Sequence, residues 1–461
     1  MRHRSLLLSL LAVAIGAVPA HADVAGTARA LQRARNDPAR LRSFLWSMPK
    51  GGDLHMHLSG AVYAEPMLRY GAADGDCVAA LTLASYAPPC KPGDRPLSDA
   101  LSDNVFQNRI VRAWSMKGFV PGDESGHDHF FATFDKFGAA LNGHVGEGLA
   151  TVAERAAAQH ELYLEVLTTP RFGDARAVAN AVTYTDDFAT LRQRMLDAGI
   201  RNAVPKASAD LDALVAQEHA ADPSSTPLIR FDVQVLRAMP PPVVFAQLLL
   251  GFELMQADDR WVGINLVQPE DDVVALRDYR LQMRMIAFLR KLYPKGHITL
   301  HAGELAPGLA PPEDLRFHIR DAVETAGAER IGHGVDIMGE RDPIGLAKEM
   351  ARRHIAVEVP LTSNRQILGV SGRRHPLRFY LRYHVPVALA TDDEGVSRTD
   401  ITEQYEQAAT VQHLGYRVLK RIAIDSLRYA FLPDGEKALL LRRQHAAFAR
   451  FEARDGRAGA T

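Results

Sequence analysis

From residue 161 onward, short apolar runs alternate with longer stretches in which apolar positions recur at helical spacing. The runs fall at 161–167, 230–236, 261–267, 297–301, 330–333, 355–360 and 385–391. Ahead of them, 53–58 (DLHMHL) alternates as a strand does, placing His55 and His57 on one face and Leu54, Met56 and Leu58 on the other. Helical patterns at 187–198, 243–255, 279–292, 315–326 and 344–353 lie between the runs. Parallel strands need helix-length crossovers, so this alternation predicts an α/β fold: eight strands closed into a (β/α)8 TIM barrel. An open doubly wound sheet is the weaker alternative, because no Gly-rich phosphate loop follows the first strand.

Outside the repeat, an amphipathic pattern at 23–46 and a helical tail at 402–453 predict extra N- and C-terminal helices, with 455–461 frayed. A helical stretch at 65–70 leads into a segment rich in Gly, Pro, Ser and Asp at 71–103. Residues 71–125 thus read as an insertion after strand one. The aromatic segment 130–137 has helical spacing and serves either as core or as a lid over an apolar ligand face.

Composition narrows the class. At 47% hydrophobic and 24% charged, the chain can build a large core, so residues 23–461 are expected to form a single domain. A net charge of -1 gives no basic excess for nucleic acid or an anionic membrane, and a small neutral substrate is expected. Residues 1–22 carry Arg2, His3 and Arg4, an apolar run at 6–18 and Ala20-His21-Ala22. This is the pattern of a cleaved secretory signal, too short to span a bilayer, and it predicts export to the periplasm or beyond. In an exported chain, the only cysteines, Cys77 and Cys90, are expected to pair as a disulfide that staples the insertion.

A barrel places its chemistry at the C-terminal ends of the strands. There the chain has His55 and His57, His301-Ala302-Gly303-Glu304, Gly332-His333-Gly334, Thr362-Ser363-Asn364, and Thr391-Asp392-Asp393-Glu394. Each residue has a bland reading alone: His301 as a core histidine, His333 as part of a tight turn, Asp392 as a helix cap. Their joint placement is what points to a metal site. Asp392 and Asp393, adjacent on a strand end, are expected to point different ways. His127 and His129 are expected to be solvated surface, and His297, His318, His354, His375 and His384 structural.

The stretch Met48-Pro49-Lys50 through Gly60, the His301–Glu304 box, Arg330-Ile331-Gly332-His333-Gly334, Thr362-Ser363-Asn364 and Thr391-Asp392-Asp393 together resemble the adenosine deaminase family of the amidohydrolase superfamily. The resemblance runs from Trp46 to about Pro433. It implies one Zn2+ held by His55, His57, His301 and Asp392, with Glu304 as proton shuttle and His333 and Asp393 around the attacking water. It further implies hydrolytic deamination of adenosine or deoxyadenosine to the inosine product and ammonia, a purine nucleoside being the small-molecule partner. The chain lacks the Pro-Cys-X-X-Cys box of cytidine-type deaminases. Its strand 261–267 lacks the bridging lysine of two-metal relatives.

Two positions depart from the family pattern. Ser59 stands where adenosine-specific members commonly carry an acid, and Gln268 where they carry a glycine that approaches the purine. Both are expected to contact substrate. Ser59 would not repel a 5′-phosphate, so a nucleotide or another 6-aminopurine stays open. A different amidohydrolase reaction, or a secreted binding protein with little turnover, stays open beside it.

Overall fold

The computed structural model describes residues 23–223 and 227–458; the expected secretory signal and the last tail residues lie outside them. The parallel strands are β1 (Gly51–His57), β2 (Glu161–Thr168), β3 (Leu228–Leu236), β4 (Trp261–Val267), β5 (His297–Ala302), β6 (Arg330–His333), β7 (Ala356–Val359) and β8 (Val387–Leu389). They form one sheet in sequence order. The sheet closes on itself just beyond β8: the Asp392 N–H donates to the His55 carbonyl at 2.9 Å, and the His57 N–H to the Asp392 carbonyl at 3.1 Å. Asp53 locks the same seam. Its Oδ2 accepts the Thr391 N–H and hydroxyl at 2.9 and 2.6 Å, and its Oδ1 accepts the His55 N–H at 3.0 Å. The predicted (β/α)8 barrel is the observed fold.

Apolar side chains fill the space between strands and helices, but one layer of the barrel interior is ionic. Arg330 of β6 is fully buried between Glu165 of β2, Asp232 of β3 and Glu358 of β7, with its guanidinium 3.6 Å from the Phe431 ring. Burial disfavours the Arg330 charge, but Glu165 and Glu358 outweigh it and raise the group. Burial and the Glu165 charge push Asp232 well above the carboxylate range. One buried arginine compensates only part of the charge of several carboxylates, and the rise falls on Asp232.

The boundaries differ from the sequence reading in instructive places. β1 starts at Gly51 and ends at His57; Leu58 opens a short helix, Leu58–Ala61, rather than continuing the strand. The 23–46 pattern is two helices, Val24–Ala34 and Pro38–Trp46, split where Asp37 caps the second and Pro38 occupies its first turn. The 315–326 pattern is a 3-10 turn, a short α-helix (His318–Asp321) and a π turn (Ala322–Ala326). The tail is three helices, and the last, Asp434–Ala458, reaches into the stretch expected to fray, whose final residues, 459–461, lie outside the described residues. Phe451 on that helix packs edge-on against Phe44, 5.2 Å between ring centres, which ties the two ends together.

The insertion is more regular than its composition suggests. Helix Ala64–Asp74 outruns the expected 65–70, and strands Cys77–Val78, Ser85–Tyr86 and Arg95–Pro96 form a small antiparallel sheet. The Cys77–Cys90 disulfide pins it. The aromatic segment divides between its two expected roles. Phe130 and Phe137, on helices Gly126–Ala132 and Phe134–Leu141, are buried in the core, and Phe131 and Phe134, together with Phe130, line a cavity at the C-terminal end of the barrel.

Candidate metal and catalytic site

Three imidazoles meet at the centre of that face. His55 Nε2 lies 3.1 Å and His57 Nε2 3.2 Å from His301 Nε2. Each ring is held from behind by an acceptor on its other nitrogen. His55 Nδ1–H donates to Glu358 Oε2 at 2.8 Å, His57 Nδ1–H to Gln234 Oε1 at 2.8 Å, and His301 Nδ1–H to Asn265 Oδ1 at 2.9 Å. The Asn265 oxygen also takes the His301 backbone N–H at 2.8 Å, which fixes which way that amide faces. With the protons on Nδ1, all three Nε2 atoms present lone pairs to one another. They cannot hydrogen-bond as they stand; a cation between them resolves the conflict.

The fourth donor is Asp392. Its Oδ1 is 3.3 Å from His57 Nε2 and 3.6 Å from His55 Nε2, and its Oδ2 accepts the Ser363 hydroxyl at 2.7 Å. Four donors about 2.0–2.1 Å from a first-row metal stand about 3.3 Å apart in a tetrahedron, which is the spacing of this set. A proton is the rival cation. Burial disfavours charge on every ring here, yet the Asp393 and Asp392 carboxylates outweigh it at His57 and raise that ring to about 10. Burial and the neighbouring imidazoles push His301 well below its ordinary value. One proton satisfies one ring, whereas a metal satisfies all three.

Local backbone explains how these groups arrive. His333 ends β6 at φ 65°, and Asp392 past β8 and Gln268 past β4 stand at φ 63° and 80°, a left-handed conformation costly for residues with a side chain. That bend ends the alternation expected of Asp392 and Asp393. Both line the cavity, and one oxygen of each lies within 4.8 Å of a His57 nitrogen. Close packing demands two glycines: a Cβ on Gly60 would fall 1.7 Å from Asp393 Oδ1, and one on Gly332 would fall 2.7 Å from His55 Cε1.

Around the donors, Glu304, Asp393 and His333 stand in reach. Glu304 and Asp393 are buried and both lifted well above the carboxylate range, Glu304 by burial and then by the Asp392 charge. Glu270 accepts the N–H groups of Gly303 and Glu304 at 3.0 and 2.8 Å and the His318 ring at 2.5 Å, so this loop is clamped from behind. His333 Nε2 is buried without a partner, 3.8 Å from Asp392 Oδ2.

The cavity has a volume of about 310 Å³. Ser59 and Gln268 both line it, and Gln268 spends its carboxamide oxygen on the Ala238 N–H at 3.0 Å. The expectation of solvated histidines at 127 and 129 is overturned. His127 lies on helix Gly126–Ala132 beneath the aromatic ring of Phe131 and bonds Asp271, past β4, at 3.0 Å; His129 reaches Glu124 at 3.0 Å. Gln234, Asn265 and Glu358, the supports of the imidazoles, went unmarked in the sequence. Asn265 and Glu358 are each the one polar residue within an apolar run, which was the available signal, whereas Gln234 shares its run with Arg230 and Asp232. Asp135, a fourth acid facing the cavity, was missed as well.

Residues 248–446 match the adenosine deaminase family model. The adenosine deaminase of Salmonella heidelberg (strain SL476) is 40% identical over 152 residues, covering 33% of this chain and 42% of the relative, so the chain spans less than half the length of the curated relatives it matches. These matches support the adenosine deaminase family. Solved structures share the fold across nearly the whole barrel. The N6-methyl-AMP deaminase of Arabidopsis thaliana superposes with a TM-score of 0.58 at 18% identity, covering 88% of this chain and 98% of that one. An amidohydrolase of Burkholderia ambifaria with bound Zn gives 0.55 at 18% identity, covering 89% and 93%.

Proposed function

We propose that this protein is a zinc-dependent hydrolase that deaminates adenosine or deoxyadenosine, giving the inosine product and ammonia. The observation that carries the reading is the convergence of three imidazole lone pairs and one carboxylate beside the buried Glu304 carboxyl. His55, His57, His301 and Asp392 would hold the zinc, which when bound supplies a Lewis acid that lowers the pKa of a water toward about 7.

The remaining steps belong to the protein. Burial favours the protonated form of Glu304, and its carboxyl delivers a proton to purine N1 as the water oxygen adds to C6, so the ring nitrogen gains a proton when it gains the electron pair. Asp393, with an oxygen buried and unpartnered, is placed to hydrogen-bond the attacking water or a purine ring nitrogen. Glu304, now ionised, carries a proton from the added oxygen to the exocyclic amine, and the C6–N bond breaks to release ammonia. Phe131 and Phe134 with Leu236, Val267 and Ile367 give the purine an apolar bed.

A neutral nucleoside suits this cavity better than a nucleotide. Asp135, Glu304, Asp392 and Asp393 line it, and its lining residues include no lysine or arginine to meet a phosphate. The Cys77–Cys90 disulfide and the leader-like N-terminus support export, so the substrate would be met outside the cytoplasm. Ammonia release from the zinc-loaded mature chain across adenosine, deoxyadenosine, AMP, adenine and guanine compounds tests all of this. Adenosine and deoxyadenosine are expected to lead and AMP to trail. Glu304→Gln should lose roughly 10²–10⁴-fold in kcat; full activity in that variant, or no turnover of any aminopurine, would overturn the proposal.

A further inference from the structure

A fourth histidine ring faces the metal donors, and a chain of hydrogen bonds runs behind it through Asn364 to His375. His333 Nδ1 lies 2.8 Å from one terminal atom of the Asn364 carboxamide. The other terminal atom lies 3.0 Å from His375 Nε2. His375 Nδ1 ends the chain by accepting the backbone N–H of Leu377 at 3.1 Å.

That backbone N–H can only donate, so it sets the direction of every bond before it. His375 Nδ1 must carry a lone pair, and its ring proton must sit on Nε2. Burial agrees, holding His375 down at about 3 and hence neutral. An Nε2–H requires an acceptor. With the carboxamide nitrogen toward His375, two donors would face each other at 3.0 Å. Turning the amide by 180° costs nothing in shape and places its oxygen there instead. Its NH2 then points at His333, whose Nδ1 must accept, leaving the ring proton on Nε2, the nitrogen that faces the site.

We infer that His375 and the Leu377 N–H are positioning residues that act through Asn364 to fix His333 as an N–H donor toward the reacting atoms. This rests on the deaminase reading for its use but not for its logic. It separates two roles that distance alone leaves joined, because His55, His301, His333 and Asp392 each offer an atom within 4.8 Å of the others. A ring with its proton on Nε2 cannot ligate through that nitrogen, nor can it take a proton there as a base. It can donate to an oxygen that gains negative charge during attack, in a setting where Asp392 Oδ2, at 3.8 Å, is too distant to capture the donor.

The test reads the tautomer directly. In the zinc-loaded protein labelled with 15N-histidine, the His333 ring, assigned by its loss in His333→Gln, is expected to show a protonated Nε2 and a bare Nδ1, and His375 the same. His55, His57 and His301 should show the reverse pattern. Asn364→Asp supplies an acceptor on both sides, so it should move the His333 proton to Nδ1 and cut kcat roughly 10²-fold with little change in KM. A His333 ring already protonated at Nδ1 in the wild type, or one unmoved by Asn364→Asp, overturns the inference. The wild-type spectrum suffices if the variant does not fold. Absence of ammonia release would count against the deaminase reading while leaving the tautomer result intact.

Discussion

Replacing Glu358 by glutamine removes one negative charge and leaves the side-chain volume almost unchanged. Glu358 is fully buried under the metal donors. One oxygen takes the His55 Nδ1–H at 2.8 Å; the other meets Arg330 Nε at 2.5 Å and the Thr299 hydroxyl at 2.8 Å. Burial alone would lift this carboxyl, but Arg330 and His55 overcome it and hold it below its ordinary value. A glutamine can offer its oxygen to His55 or to Arg330 and Thr299, never to both, so one donor faces an NH2 group. Loss of a carboxylate behind a ligating imidazole costs roughly 10–100-fold in metal affinity, about 1.4–2.8 kcal/mol. The fold should lose less than the ~3–5 kcal/mol of a broken buried pair, since Arg330 keeps Glu165 and Asp232. Competition against a chromophoric chelator gives the first number and urea unfolding of the metal-free chain the second. Zinc affinity within twofold of wild type would refute the claim that the Arg330–Glu358–His55 chain sets the basicity of this ligand.

Three further outcomes follow from local geometry. His127 clasps the helix carrying Phe131 to the loop carrying Gln268, and although burial opposes its charge, Asp271 and Asp128 raise it to about 9. A raised histidine contributes stability that is fully present below its unfolded value of 6.5 and lost as pH rises through about 9, so KM should climb over that window, and Asp271→Asn should flatten the climb; a wild-type KM constant across it would sink the clasp. In Gly60→Ala the new methyl would lie 1.7 Å from Asp393 Oδ1, so kcat should fall at least about tenfold with zinc content unchanged, read by single-turnover assay and metal analysis. Lys50 is buried, and its three N–H donors are shared among the carbonyls of Leu45, Trp46, Met48 and Gln159, at 2.7, 3.1, 3.1 and 3.0 Å from Nζ; Lys50→Met takes this donor from all four, and the urea midpoint should report a loss of about 3 kcal/mol or more.

The barrel and its donors were legible in the sequence for one physical reason. A parallel strand covered on both faces must be apolar, so His55, His301, His333 and Asp392 stand out where such runs end. The same reasoning fails one step inward. Asn265 and Glu358 each interrupt a strand once, Gln234 is one of three polar residues in its own, and a polar residue in a strand states no partner. Glu358 acquires its meaning only when the fold brings it against His55, 303 positions away, and Arg330 only when Glu165 closes on it across 165. Alternation misjudged Asp392 and Asp393 because it presumes extended backbone, and Asp392 is left-handed. His127 and His129 misled because polar neighbours suggest solvent, whereas Asp271 arrives from 144 positions on. His375 shows the limit most plainly. Nothing in its flanking residues sets it apart from other histidines, and its part in the site exists only as a direction of hydrogen bonding, fixed by the Leu377 N–H two residues away and read at His333, 42 positions earlier. A sequence records which groups can donate or accept; the fold decides which must, and that choice separates the ring proposed to donate from the three proposed to ligate.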